Sequence, residues 1–189
     1  MGIPTIMNGK KLTTVMLVVI GLMYISLEVV RERALLGPPS PRSTENSART
    51  TMIADFDLTQ FGGPKKKFSE LAGRVTLLNF WATWCESCLV EMPSMLKLRA
   101  QFKDQGFVFL PINVDERPEA VLPKAIKQFG FDFPIFTDSG GQLADRFEVS
   151  AIPLTLIVDS HRKILLRTDG ENNWNSEEVQ SMVRAWLKL

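Results

Sequence analysis

Val75-Thr76-Leu77-Leu78-Asn79-Phe80-Trp81-Ala82-Thr83-Trp84-Cys85-Glu86-Ser87-Cys88-Leu89-Val90-Glu91-Met92-Pro93 is the stretch on which the fold turns. Val75, Leu77, Leu78 and Phe80 are strand-like by composition, whereas the apolar positions from Ser87 onward recur at helical spacing. The two sulfurs therefore fall at a strand-to-helix junction. Unpaired backbone N–H groups and the positive end of the helix dipole favour an anionic sulfur there, and only the thiolate attacks a disulfide. Cys85 is then the natural nucleophile, and Cys88, one turn along, can reach back to resolve a mixed disulfide. A Cys-x-x-Cys pair is also half of a zinc site. The chain has two cysteines and one histidine, His161, so a four-ligand metal centre would need carboxylates that nothing places nearby, and no metal is expected. A pair of inert, buried cysteines is the plainer alternative, against which the adjacent Trp84, Glu86 and Ser87 argue.

Downstream, Met92, Met95, Leu98 and Phe102 share one helical face and Gly106 is a stop, with Pro93 expected to kink the axis. Residues 107–114 read as a strand, and Pro111, which cannot donate to a ladder, argues for a place near the sheet edge. Pro118 opens a helix that Gly130 terminates, with Leu122, Ala125, Ile126 and Phe129 as its apolar stripe and Pro123 kinking it or delaying its start. Residues 133–136 read as a short strand and 143–147 as a short helix. Residues 154–158 and 163–167 form a hairpin with His161 at its tip, read as a solvated turn residue. Asn175 followed by Glu178 fits a helix cap, ahead of a face made by Val179, Met182, Val183 and Trp186.

Upstream, Phe56 and Leu58, then Phe68 and Leu71, flank Gly62-Gly63-Pro64 and suggest an opening hairpin with Lys65, Lys66 and Lys67 solvated at its tip. The chain has 22 Lys and Arg against 21 Asp and Glu. That balance lacks the basic excess of a nucleic-acid binder, and no nucleic-acid partner is expected. Residues 12–30 follow Lys10 and Lys11 and carry one charge, Glu28, near their end. At roughly 1.5 Å per residue they would reach about 28 Å, close to a bilayer's hydrocarbon thickness of roughly 30 Å. An uncleaved membrane anchor is favoured over a signal peptide, because no small-residue cleavage pattern follows the apolar run. The expected organisation is an anchor over 1–36, a Pro/Ser-rich linker over 37–53 and a globular domain over 54–189. Strands alternating with helices and ending in a hairpin indicate an α/β sandwich with a mixed sheet.

Asn79-Phe80-Trp81-Ala82-Thr83-Trp84-Cys85, Cys88 and Glu91-Met92-Pro93, together with Ile152-Pro153-Leu154-Thr155, resemble the membrane-anchored thioredoxin-like reductases of the TlpA/ResA type. The resemblance runs from about residue 54 to the C terminus. It implies a thioredoxin-like fold, an insertion around residues 133–147 that helps shape what can approach the sulfurs, and thiol-disulfide oxidoreductase activity through Cys85 and Cys88 with no cofactor beyond that pair. It further implies a cis Ile152–Pro153 bond facing the cysteines, with the backbone beside Ile152 and Pro153 pairing with an extended substrate. Glu91 matches a glutamate thought to modulate the thiols' proton affinity, Trp84 lies in the matched stretch, and Glu86, which the motif leaves open, adds a second carboxylate between the cysteines. Carboxylates near the sulfurs disfavour the thiolate by repulsion, which points toward a reducing site.

Two positions depart from the pattern. Ser87 stands where proline often precedes the second cysteine, and its hydroxyl could bond a sulfur. Asn79 stands where plain thioredoxin buries an acid, which removes a proton relay there. The resemblance implies a protein disulfide substrate, a membrane thiol-electron donor and an extracytoplasmic location, with cytochrome c maturation as one setting. A disulfide-forming oxidase and a non-enzymatic metal chaperone are the alternatives, the latter weakened by the scarcity of soft ligands.

Overall fold

The structure, a computed structural model, describes residues 20, 22–24 and 52–188. The chain divides into two units, Met1–Ser47 and Ala48–Leu189, and everything below concerns the second. Of the apolar run at 12–30 only residues 20 and 22–24 are described, and they are helical; the rest of that run and the linker up to residue 51 lie outside the described residues. Among the described residues no helix is long and apolar enough to cross a membrane.

Seven strands form one sheet: β1 (Asp57–Gln60), β2 (Lys65–Lys67), β3 (Val75–Trp81), β4 (Phe107–Asn113), β5 (Phe136–Thr137), β6 (Leu154–Asp159) and β7 (Ile164–Asp169). Their order is β2-β1-β5-β4-β3-β6-β7, with β3 parallel to β4, β4 parallel to β5, and every other pairing antiparallel. The helices are α1 (Phe68–Leu71), α2 (Glu86–Phe102), α3 (Pro118–Phe129), α4 (Gln142–Arg146) and α5 (Glu177–Trp186). This is the thioredoxin-like α/β architecture with a mixed sheet that the sequence implies.

All seven residues of β3 are buried, as expected for a central strand covered on both faces. Alternation sorts its side chains. Val75, Leu77 and Trp81 join a core with Met92, Met95, Leu98 and Phe102 of α2, Leu122 of α3, and Val179 and Val183 of α5. Leu78 and Phe80 face the other way, into a core with Phe56, Phe68, Phe147, Leu154 and Leu156. By the same alternation Asn79 points toward α2, a polar group on the helix side of the strand.

Several local readings change. Pro111 lies on an interior strand, not at the edge; β5 is so short that it pairs with Ile112 and Asn113 alone, leaving Pro111 outside that ladder. Lys65, Lys66 and Lys67 form the second strand of the first hairpin instead of its tip, and Lys67 reaches Asp57 across it at 2.7 Å. Phe68 and Leu71 fall in a helical turn and not in that strand. The cap of α5 is Ser176, which accepts from the Val179 N–H at 3.3 Å, one residue beyond the expected Asn175. Pro118 at the start of α3 and left-handed Gly130 at its end stand as expected, as does His161, exposed in the β6–β7 turn.

Candidate redox site

The segment joining β3 to α2 is held by the neighbouring strand. The Asp115 carboxylate accepts from the Thr83 N–H at 2.9 Å and from its hydroxyl at 3.0 Å, while Asn113 at the end of β4 donates to the same carboxylate at 2.7 Å. Val114 donates its N–H to Trp81 O at 2.9 Å, and Cys85 donates to Ala82 O at 3.3 Å. These bonds fix where α2 begins. Cys85 is its N-cap, with Sγ accepting the Cys88 N–H at 3.2 Å where a serine or aspartate oxygen would ordinarily sit. The Ser87 hydroxyl stands 3.5 Å from Cys85 Sγ, within the reach its place in the sequence suggests.

Cys85 and Cys88 are joined in a disulfide with their Cα atoms 5.3 Å apart. Both are buried, but unequally: Cys85 keeps 6% of its surface and Cys88 none. An incoming thiol therefore meets Cys85 first. Trp84 beside it is 70% exposed, and Glu86 is exposed as well.

Glu91 is not a solvated helix residue. It is 2% exposed and lies one turn beyond Cys88 on α2, where side chains three apart share a face. Its Oε1 accepts from Asn79 Nδ2 at 3.0 Å; its Oε2 accepts from the Trp174 indole N–H at 2.8 Å and the Asn172 backbone N–H at 3.2 Å. Burial pushes the Glu91 carboxyl above its ordinary value, opposed in turn by the bonds from Trp174, Asn172 and Asn79. Asn79 also donates to Thr155 Oγ1 at 3.0 Å and so ties β3, β6 and α2 together. The acid missing from β3 is thus supplied by α2 to the neighbourhood of the same asparagine.

The Ile152–Pro153 bond is cis, the isomer the family resemblance implies. Leu154 stands opposite Phe80, which sets Pro153 beside the end of β3, the end that leads into the cysteines. Ile152 is half-buried and Pro153 buried.

Sequence reasoning missed Asp115, Asn172 and Trp174. Trp174 carried a signal: a tryptophan set among the polar Glu171, Asn172 and Asn173 usually finds a partner for its N–H when it is buried, as Trp174 does and Trp81 does not. Asp115 carried less, since nothing local distinguishes it from a solvated carboxylate after a strand.

A disulfide that closes the first turn of a helix, with one of its cysteines nearer the surface, is built for exchange with another disulfide. Fold and site together make this chain a thiol-disulfide oxidoreductase of thioredoxin-like architecture. The AhpC/TSA family model matches residues 50–167, and the chain belongs to that family. Thiol-disulfide oxidoreductase ResA of Halalkalibacterium halodurans is 31% identical over 131 residues, 69% of this chain and 74% of that protein. Its namesake in Bacillus subtilis is 35% identical over 135 residues, 71% of this chain and 72% of that protein. Among solved structures, a Chlorobium tepidum protein assigned as thiol:disulfide interchange protein DsbE is similar with a TM-score of 0.66 and 28% identity, over 73% of this chain and 96% of that one.

Proposed function

We propose that this oxidoreductase works as a reductase of protein disulfides on the extracytoplasmic side of a membrane, held there by residues 12–30 and recharged by a membrane thiol-electron donor. Reductive maturation of cytochrome c is one process with that demand. The observation that carries the direction is Glu91, a buried carboxyl one turn from Cys88. When ionised it repels a thiolate, which raises the energy of the reduced anionic pair and favours handing its electrons on.

The cycle balances as two exchanges. Thiolate Cys85 attacks one sulfur of the substrate disulfide, forming a mixed disulfide and expelling the first substrate thiolate. Cys88, deprotonated, then attacks Cys85 Sγ, forming the Cys85–Cys88 bond and expelling the second. Two electrons pass to the substrate, and two protons follow to its sulfurs. Pro153 and the backbone beside Ile152 line the approach, with Trp84 as an apolar contact for the incoming chain and Glu86 adding negative charge at the rim. Reduction by the donor reverses the sequence on the enzyme. Cys88→Ser tests this directly: it is expected to accumulate a mixed disulfide through Cys85 with the extracytoplasmic substrate, identifiable by mass spectrometry. Capture of cytosolic proteins alone, or none, overturns the reading.

A further inference from the structure

Glu91 is held from outside its own helix by a loop that the redox motif does not contain. Trp174 lies between β7 and α5, is fully buried, and packs in the core shared by α2 and α5. Its indole N–H reaches Glu91 Oε2 at 2.8 Å, while its backbone N–H donates to Ser94 Oγ at 3.0 Å, one turn further along α2. Ser94 Oγ in turn donates to Glu91 O at 2.7 Å. Asn172 in the same loop adds its backbone N–H. The loop thus grips α2 at two successive points, and one of its two grips is the carboxylate itself.

We propose that Trp174 is a positioning residue for the thiol chemistry: its indole N–H holds Glu91 in the anionic form beside Cys88, so that the loop between β7 and α5 sets how readily the reduced pair ionises. This deepens the reductase reading and rests on its premise that Glu91 acts on the thiols. A hydrogen bond to a carboxylate in a buried site favours the ionised form, and its loss favours the neutral acid. Among the described residues, the other groups that bear on Glu91 are Glu171, whose like charge opposes ionisation, and the two thiols once reduced. Asn79 and Thr155, which face it from β3 and β6, are neutral.

The test is the pH profile of Cys85 alkylation in the reduced full-length protein, with Trp174→Phe, Glu91→Gln and the double variant compared to wild type. Phenylalanine keeps an aromatic ring and loses the donor. Trp174→Phe is expected to lower the midpoint by about half a pH unit or more, toward the Glu91→Gln value, because a neutral Glu91 no longer repels the thiolate. In the Glu91→Gln background the same change is expected to shift nothing further. An unshifted Trp174→Phe profile beside a shifted Glu91→Gln profile overturns the role of Trp174 and leaves that of Glu91 intact. Two unshifted single variants overturn the premise instead, and a shift that persists in the double variant shows that Trp174 does not act through Glu91. Should Trp174→Phe not fold, Trp174→Met keeps an apolar side chain and removes the donor; a lowered midpoint supports the proposal, and an unshifted one beside a shifted Glu91→Gln profile overturns it.

Discussion

The two faces of the sheet are built from the same strands and bury comparable aromatic mass, yet they use their buried polar groups differently. The face under α1 and α4 holds Phe56 stacked on Phe68 and edge-on to Phe147, with Phe80 tilted against Phe147. The face under α2 carries the same kind of core but has Asn79, Thr155 and Glu91 buried inside it, joined by hydrogen bonds. Buried polar groups cost stability unless fully partnered, and a buried carboxyl costs more than most. The opposite face buries Thr76 and the Asp138 carboxylate that caps α4 through the Leu143 and Ala144 N–H groups, whereas Glu91 on the α2 face bridges α2 to β3 and to the loop before α5, one turn from the cysteines, and there marks where stability was given up for chemistry.

That contrast can be broken by substitution. Cys85→Ser is expected to cut insulin-disulfide reduction at least ~1,000-fold while the domain still unfolds in one cooperative transition, since no other thiolate can start the exchange. Turnover near wild type would remove Cys85 as nucleophile. On the other face, Phe80→Ala is expected to cost about 3–5 kcal/mol in urea unfolding, with the pH profile of thiol alkylation unchanged. A matched change in that profile would show that the two faces are not separable.

Glu91→Gln sharpens the comparison through pH. The carboxyl is pushed above its ordinary value of 4.5 by burial, so its protonated form is the better fit for the folded state. The folded chain therefore gains most from this group below that value and loses the gain as pH rises through the elevated folded pKa. Glutamine cannot ionise, so the variant's stability relative to wild type is expected to climb across that window and then level off. Chemical denaturation at a series of pH values reads this, and a flat difference would mean the carboxyl is not penalised. The smallest effect belongs to the cap of α5, where Ser176→Ala is expected to cost about 1 kcal/mol with no redox consequence.

Much of this was legible in the chain. The strand-to-helix junction follows from the change of apolar period after Cys85, and the ends of α3 follow from Pro118 and Gly130. Even the direction of Asn79 follows from alternation along β3. What the chain hides is partnership across distance. Glu91 is singled out by the family resemblance, but nothing near it in the chain shows that Trp174 and Asn172, some eighty positions on, close over it. The edge reading of Pro111 failed for a related reason: the length of β5, not the order of strands, decides which backbone groups of β4 need partners.

The account stands most directly on the equilibrium of the Cys85–Cys88 couple with glutathione. A reversible two-electron transition is expected, with a potential at or below the thioredoxin value of about −270 mV. A potential near the about −120 mV of a dedicated oxidant would contradict a reducing role, and a pair that never exchanges with glutathione would contradict the chemistry itself.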